Sequence, residues 1–71
     1  MTNSEMFRKK VEDCGITYTY LAKKIGITRE SLYKKLRNET EFKASEISNV
    51  AVILRLSQDE INKIFFAQRV N

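Results

Sequence analysis

The sequence predicts an all-α protein, a compact five-helix bundle that forms a single domain over residues 1–71. Its 71 residues include no proline and only two glycines, a composition that favours helices. No stretch shows the sustained alternation of a half-buried strand, and no Asn-Gly or Asp-Gly marks a hairpin. Several segments instead carry apolar residues at helical spacing between residues that cap helices.

The first helix is predicted from about Ser4 to Cys14. Thr2 and Glu5 have capping-box spacing at its start, and Gly15 provides a left-handed stop at its end. The apolar residues of this segment are spaced i, i+4 and i+7, which places them on one face of a helix. These residues are Phe7, Val11 and Cys14.

The second and third helices follow at once. The second is predicted from about Tyr18 to Ile25, between the N-cap Thr17 and the stop Gly26. The third begins after Thr28, a plausible N-cap, and ends near residues 37–38. The residues expected to be buried on these two helices are Leu21, Ala22, Ile25, Leu32 and Leu36.

The fourth and fifth helices complete the predicted bundle. A polar loop over residues 38–43, with Phe42 as its apolar residue, leads into a fourth helix from about Ala44 to Leu56. The fifth helix begins with the capping box 57–60 and continues to about Arg69. The residues expected to face inward are Ile47, Val50, Ala51 and Leu54 on the fourth helix and Ile61, Ile64 and Phe65 on the fifth.

The joint between the second and third helices is the most informative feature. Only Gly26, Ile27 and Thr28 separate them, which is too few residues for a relaxed antiparallel hairpin. The helix-turn-helix joins two crossing helices through a turn of about 3–4 residues that often contains glycine. Gly26 can take the positive φ of such a turn because it has no Cβ. The spacing therefore predicts a helix-turn-helix over about residues 17–37.

Basic residues are concentrated on the same segment. The chain has 13 Lys and Arg against 9 Asp and Glu, and residues 17–37 hold six basic residues against Glu30 alone. Most such charge runs are solvated helix faces, but here the excess coincides with a turn that independently indicates DNA binding. We expect double-stranded DNA as the partner, with a recognition helix over about residues 28–37 in the major groove.

Side chains on the outward face of the third helix are candidates for reading bases. Leu32 and Leu36 share the inward stripe, which leaves the first turn and the opposite face for the groove. Arg and Lys can donate to guanine, and a carboxylate can accept from cytosine or orient the neighbouring arginine. A tyrosine can contact a thymine methyl or a phosphate. The predicted base-reading residues are Arg29, Glu30, Tyr33 and Lys34.

Polar side chains around this face are candidates for the phosphate contacts that position a protein on DNA. Two of them open the second helix, where free backbone N–H groups can also bind a phosphate. The predicted phosphate ligands are Tyr18, Thr19, Lys23, Lys35, Arg37, Asn38 and Lys43, with a solvated surface position as the alternative for each. About six neutralised phosphates would make log K fall with log salt at a slope near −5.

The stretch over residues 20–36, YLAKKIGITRESLYKKL, resembles the helix-turn-helix of the lambda-repressor-like, Cro-like (XRE) superfamily. The matching positions are Leu21, Ala22, Gly26 and Leu32. The segments 41–47 and 64–67 are similar to those of small phage-type regulators of Gram-positive bacteria and their prophages. The resemblance covers nearly the whole chain.

The resemblance implies a lambda-repressor-like DNA-binding domain and a cytoplasmic transcriptional regulator that binds operator half-sites, usually as a dimer. It implies that Arg29, Glu30 and Lys34 read bases and that Tyr18 holds a phosphate. Because no protease or ligand-binding domain follows, the chain is more similar to Cro-like or stand-alone regulators than to cleavable repressors.

Apolar residues beyond a single stripe of the fourth and fifth helices indicate a partner surface, since an exposed apolar patch often marks an interface. We predict a homodimer through the fifth helix and the preceding turn, with Val52, Ile53 and Phe66 at the interface. The alternative is that these three residues complete a core with the first helix. A symmetric dimer would place two recognition helices about 34 Å apart on a near-palindromic operator.

The composition excludes several functions. With no histidine and one cysteine, the chain lacks the base of Ser-His-Asp or Cys-His catalysis and the ligands of a Cys/His zinc site. No apolar run approaches the roughly 18 residues of a membrane span. Cys14 is expected to be a small core residue, with a redox switch as the alternative. We predict a cytoplasmic protein with no catalytic activity, no cofactor and no metal.

The leading functional prediction is a sequence-specific DNA-binding regulator, Cro-like or repressor-like and related to phages or prophages. One alternative is a protein-interaction module, antirepressor-like or an adaptor, for which the apolar face of the last two helices matters and Arg29 and Lys34 do not. The other is a nonspecific nucleic-acid binder, which keeps the salt dependence and loses the operator preference.

Overall fold

Five α-helices account for the secondary structure of the described chain, in which no strand occurs. The structure is a computed structural model that describes residues 1–66. The helices are α1 (Ser4–Cys14), α2 (Tyr18–Ile25), α3 (Arg29–Leu36), α4 (Ala44–Ile53) and α5 (Gln58–Phe65). Their Cα atoms have a radius of gyration of 11.3 Å. The all-α prediction is confirmed for this part of the chain.

Local side-chain caps explain where the helices begin. Thr17, Thr28 and Ser57 each accept a hydrogen bond from a backbone N–H in the first turn of the helix that follows, as the sequence predicts. The predicted cap of α1 is wrong: Asn3, and not Thr2, accepts from the N–H of Met6. Thr2 is unsuited to the role because its own backbone groups pair with a side chain at the end of α3.

Left-handed residues explain where four of the helices end. Gly15, Gly26, Asn38 and Arg55 have φ values of 71°, 81°, 62° and 55°. At each position two backbone hydrogen bonds close the last turn; after α2, for example, Gly26 N–H donates to Lys23 and Ile27 N–H donates to Ala22. This arrangement satisfies carbonyl groups that a helix end otherwise leaves without partners.

The predicted end of α4 is too late. The left-handed Arg55 ends α4 at Ile53 instead of Leu56. The turn lets Leu54 be fully buried and Leu56 pack against the same core, which a continuing helix would not allow. Helix α5 ends at Phe65, and the predicted extension to Arg69 lies mostly outside the described residues.

One apolar core is shared by all five helical segments. Six side chains are essentially inaccessible, namely Phe7, Leu21, Leu32, Val50, Leu54 and Ile64. Cys14 was predicted to join this core and does not: it is exposed at the end of α1, where the chain turns and Ile16 packs against the core in its place. Each helix therefore packs against the others mainly through this small central set of side chains.

The N-terminal residues connect the end of α3 to α5. Thr2 N–H donates to Asn38 Oδ1 at 2.8 Å, and Asn38 Nδ2 donates to the Thr2 carbonyl at 3.2 Å. Asn3 N–H donates to the carbonyl of Ile64 at 2.7 Å, and the Ser4 hydroxyl donates to the carbonyl of Leu36. These bonds hold the C-terminal end of α3 in place from outside the helix.

No helix within residues 1–66 combines the length and the apolar character that crossing a membrane requires.

Gly26→Ala is expected to lower the free energy of unfolding by about 1 kcal/mol, because a Cβ disfavours the left-handed conformation. Beyond residue 26 and its two chain neighbours, no atom lies within 4 Å of that Cβ, so the loss reports backbone strain alone. Urea unfolding followed by circular dichroism measures it. Arg55→Ala is the control, since the residue already carries a Cβ at φ 55°, and it should change stability by less than about 0.5 kcal/mol. An unchanged midpoint for Gly26→Ala would contradict the role given to this glycine.

Candidate nucleic-acid interface

The joint between α2 and α3 is as short as the sequence predicts. Gly26 closes α2, Ile27 packs half-buried against the core, and Thr28 caps α3 by accepting from the N–H of Ser31 at 3.0 Å. Leu21 and Leu32 on the two helices are both fully buried in the common core. The two helices are thus held to each other by backbone bonds in the turn and by apolar packing below it.

Four of the predicted DNA-contacting residues meet where α2 begins. The ring centroids of Tyr18 and Tyr33 are 5.6 Å apart, with the rings edge to face. Arg29 Nη1 donates to Thr19 Oγ1 at 3.3 Å. The first turn of α2 therefore lies beside the outward face of α3. We call the set Tyr18, Thr19, Arg29 and Tyr33 the α2–α3 cluster.

Tyr18 anchors this cluster to the core. Its ring lies 6.4 Å from that of Phe7, a fully buried residue of α1. Burial raises the pKa of the Tyr18 phenol, against a smaller opposing effect of the positive charge of Arg8. The hydroxyl therefore keeps its proton at neutral pH and can donate a hydrogen bond. Nothing in the sequence places Arg8 near this surface, because its position depends on how α1 packs.

Four basic residues of the segment are exposed and free of ion pairs within residues 1–66: Lys23, Lys24, Arg29 and Lys34. Lys24 lies over the exposed ring of Tyr20, with 5.5 Å between Nζ and the ring centroid. Glu30 is exposed among them and makes no hydrogen bond to Arg29 in the described chain. The predicted basic excess is therefore present on the surface. It comprises four cations free of ion pairs within residues 1–66, compared with the six basic residues counted in the sequence of this segment.

Lys35 does not belong to this surface, and its predicted role as a phosphate ligand is wrong. The residue is only 7% exposed. Its Nζ lies 3.5 Å from Glu46 Oε1 and donates to the carbonyl of Glu41 at 3.2 Å. Its Nζ also lies over the ring of Phe42, 5.9 Å from the centroid, so the side chain reaches from α3 toward the loop before α4. Glu46 also accepts a hydrogen bond from the backbone N–H of Lys43, the N-cap residue of α4.

The predicted phosphate ligands that follow α3 have different outcomes. The Asn38 amide oxygen and one of its two N–H donors are bound to the backbone of Thr2, and the residue is exposed, so its role as a phosphate ligand stays a prediction. Arg37 is exposed, and its Nε lies 2.6 Å from Glu39, whose pKa this hydrogen bond lowers. Such an exposed pair is weak, so a phosphate can compete for the guanidinium. The side chain of Lys43 is exposed.

The predicted dimer residues do not form one patch. Val52 is 77% exposed and Phe66 is 53% exposed, whereas Ile53 packs against the core and is removed from the set. Phe66 lines an apolar groove of about 490 Å³ between α4 and α5, to which Val52 does not contribute. The residues of this Phe66 groove are Phe42, Ala44, Ile47, Ser48, Gln58, Ile61 and Phe66.

Within residues 1–66, no group of three or more His, Cys, Asp or Glu side chains is arranged to hold a metal ion.

Lys35→Ala is expected to lower the free energy of unfolding by about 3 kcal/mol, because it leaves the buried carboxylate of Glu46 without its partner. Lys34→Ala is the matched control: the adjacent lysine is exposed and should change stability by less than about 0.5 kcal/mol. Chemical unfolding of both variants measures the difference. Equal stabilities would show that the Lys35–Glu46 pair contributes nothing.

Comparison with known proteins identifies a family. Residues 2–68 match the family described as protein of unknown function DUF739. No curated protein and no solved structure matches the chain. Since the match covers nearly all 71 residues, the chain belongs to the DUF739 family.

Proposed function

We propose that this protein is a sequence-specific DNA-binding transcriptional regulator, in which α2, Gly26 and α3 form a helix-turn-helix and α3 enters the major groove. The observation that carries the proposal is the α2–α3 cluster, where the first turn of α2 meets the outward face of α3. In a helix-turn-helix, α3 reads bases and the preceding helix lies across the DNA backbone. The exposed cations around the cluster supply the electrostatic attraction to DNA.

Base reading falls to the exposed side chains of α3. Arg29 and Lys34 can donate to guanine O6 and N7, and Glu30 can accept from cytosine N4. Tyr33 is held by Tyr18 and can present its ring edge or hydroxyl to a thymine methyl or a phosphate. Glu30 and Lys34 are exposed and lie about 160° around α3 from the buried Leu32. The half-buried Tyr33 lies about 100° away, and the exposed Arg29 lies on the first turn.

Phosphate contacts fall to residues that flank this face. Tyr18 and Thr19 open α2, where backbone N–H groups without helical partners point outward. Lys23, Lys24 and Arg37 are exposed nearby along the chain, and Lys43 extends the set beyond α3. With the buried Lys35 excluded, about four cationic contacts per protomer give a salt slope of about −4.

The resemblance of residues 20–36 to the Cro-like superfamily agrees with this proposal and adds a biological setting. It favours a small cytoplasmic regulator of phage or prophage type, without an enzymatic activity. Whether transcription rises or falls depends on where the operator lies relative to a promoter. Selection of binding sites from a random DNA pool supplies that operator.

Arg29→Ala is expected to weaken binding to the selected operator by about 1–3 kcal/mol and to leave binding to random DNA nearly unchanged, because it removes a base contact. Lys23→Ala should weaken both and make the salt slope less steep by about one unit, because it removes a phosphate contact. Titrations of each variant with the operator and with random DNA, at two salt concentrations, measure the losses of binding and the salt slopes. An equal loss for Arg29→Ala on both DNAs would remove its assignment as a base reader, and an unenriched pool that still binds would indicate a nonspecific binder.

We place the homodimer contact at the Phe66 groove. The groove and the half-exposed ring of Phe66 lie on the same surface, as a two-fold interface between identical protomers requires. Aromatic rings at the centre of an interface contribute much of its binding energy. Two protomers joined there would bind an inverted repeat.

Phe66→Asp is expected to convert the dimer to a monomer, because a carboxylate would be buried without a partner. Val52→Asp is the matched control, since Val52 is more exposed than Phe66 and lies outside the groove. Sedimentation equilibrium measures both. A wild-type chain that remains monomeric at every concentration, or an equal effect of the two substitutions, would exclude this interface.

The Phe66 groove also favours the second candidate function, a protein-interaction module on the same fold. In that case the groove binds another protein and the exposed cations of α2 and α3 have no role. Absence of DNA binding at both low and high salt would favour this candidate over the regulator.

A further inference from the structure

Thr19 and Arg29 are joined by the single side-chain hydrogen bond between α2 and α3 within residues 1–66. Arg29 Nη1 donates to Thr19 Oγ1 at 3.3 Å across ten positions of sequence. Both residues are exposed, so the bond is not a by-product of core packing. The adjacent Glu30, which could also have oriented the arginine, makes no bond to it in the described chain.

The bond restricts the guanidinium of Arg29 before any ligand arrives. A guanidinium has five N–H donors in a planar fork, and this contact uses one of them. The remaining donors are enough for a bidentate contact with guanine O6 and N7. A fork already held in one orientation loses less conformational entropy on binding than a free arginine side chain, which has many rotamers.

The hydroxyl of Thr19 still has a proton to donate. Its oxygen accepts from Arg29, and no hydrogen bond donated by this hydroxyl occurs within residues 1–66. The carbonyl four residues earlier belongs to Gly15, which is not part of α2, so the usual helical acceptor is missing. An O–H group whose oxygen is bound to a cation is a strengthened donor for an anion such as phosphate.

We infer that Thr19 is a specificity-determining positioning residue: it orients Arg29 toward a guanine while its own hydroxyl donates to a DNA phosphate. The contact with the DNA backbone and the contact with the base are then coupled, because both involve the Oγ1 atom of Thr19. This inference rests on the proposed function, because it assigns a role within the same DNA-binding surface.

The test measures base preference at one position of the selected operator. That position is the guanine whose replacement by adenine no longer weakens binding in Arg29→Ala, the variant that removes the base contact. Thr19→Val, which keeps the shape and loses the hydroxyl, should reduce the guanine-over-adenine preference about fivefold, as expected for one hydrogen bond. Thr19→Ser, which keeps the hydroxyl, should retain the wild-type preference. Thr40→Val is the control for an exposed threonine in the loop after α3 and should change nothing.

A double-mutant cycle separates positioning from a general effect on binding. Thr19→Val in the Arg29→Ala background should produce no further change in base preference, because the guanidinium it positions is already absent. The inference is overturned if Thr19→Val keeps the wild-type preference, or if it weakens binding equally to the operator with guanine and to the operator with adenine at this position. A wild-type protein without any preferred sequence would instead refute the proposed function, so the two failures are distinguishable.

Discussion

The three-residue connection between α2 and α3 is the constraint on which the proposed site depends. Its backbone is closed by two hydrogen bonds, and Gly26 takes a left-handed conformation that a residue with a Cβ adopts only at a cost. With so short a link, the position of α3 follows from the position of α2. The exposed face of one helix and the first turn of the other therefore belong to a single surface.

The rest of the chain holds α3 from its inward side and from its end. Lys35 connects it to the loop before α4 and to Glu46, while Asn38 binds the backbone of Thr2. A buried ion pair costs desolvation energy, so its value here lies more in fixing an arrangement than in adding net stability. The polar residues Lys35 and Asn38, in the last turn of α3 and just after it, thus serve its placement, and the exposed cations of α2 and α3 remain at the surface.

The surface has two regions with different chemistry. The α2–α3 cluster is polar and surrounded by cations, and Tyr18 connects it through Phe7 to the aromatic core. Phe42 and Phe65 continue that core to the side where the Phe66 groove opens. A polar basic surface suits DNA, and an apolar groove suits a second copy of the chain. The dimeric regulator that we propose uses both.

Local chemistry within a few residues was enough to predict the five helices, three of their caps and the turn at Gly26. Caps and left-handed stops act over three or four positions, so the sequence by itself determines them. Packing decided the rest. Whether Lys35 faces solvent, whether Asn38 is free, and which residue Arg29 contacts all depend on groups that lie far away in the chain. Lysine is usually exposed, so its charge predicted a surface role for Lys35, and only the tertiary structure shows that this lysine is buried.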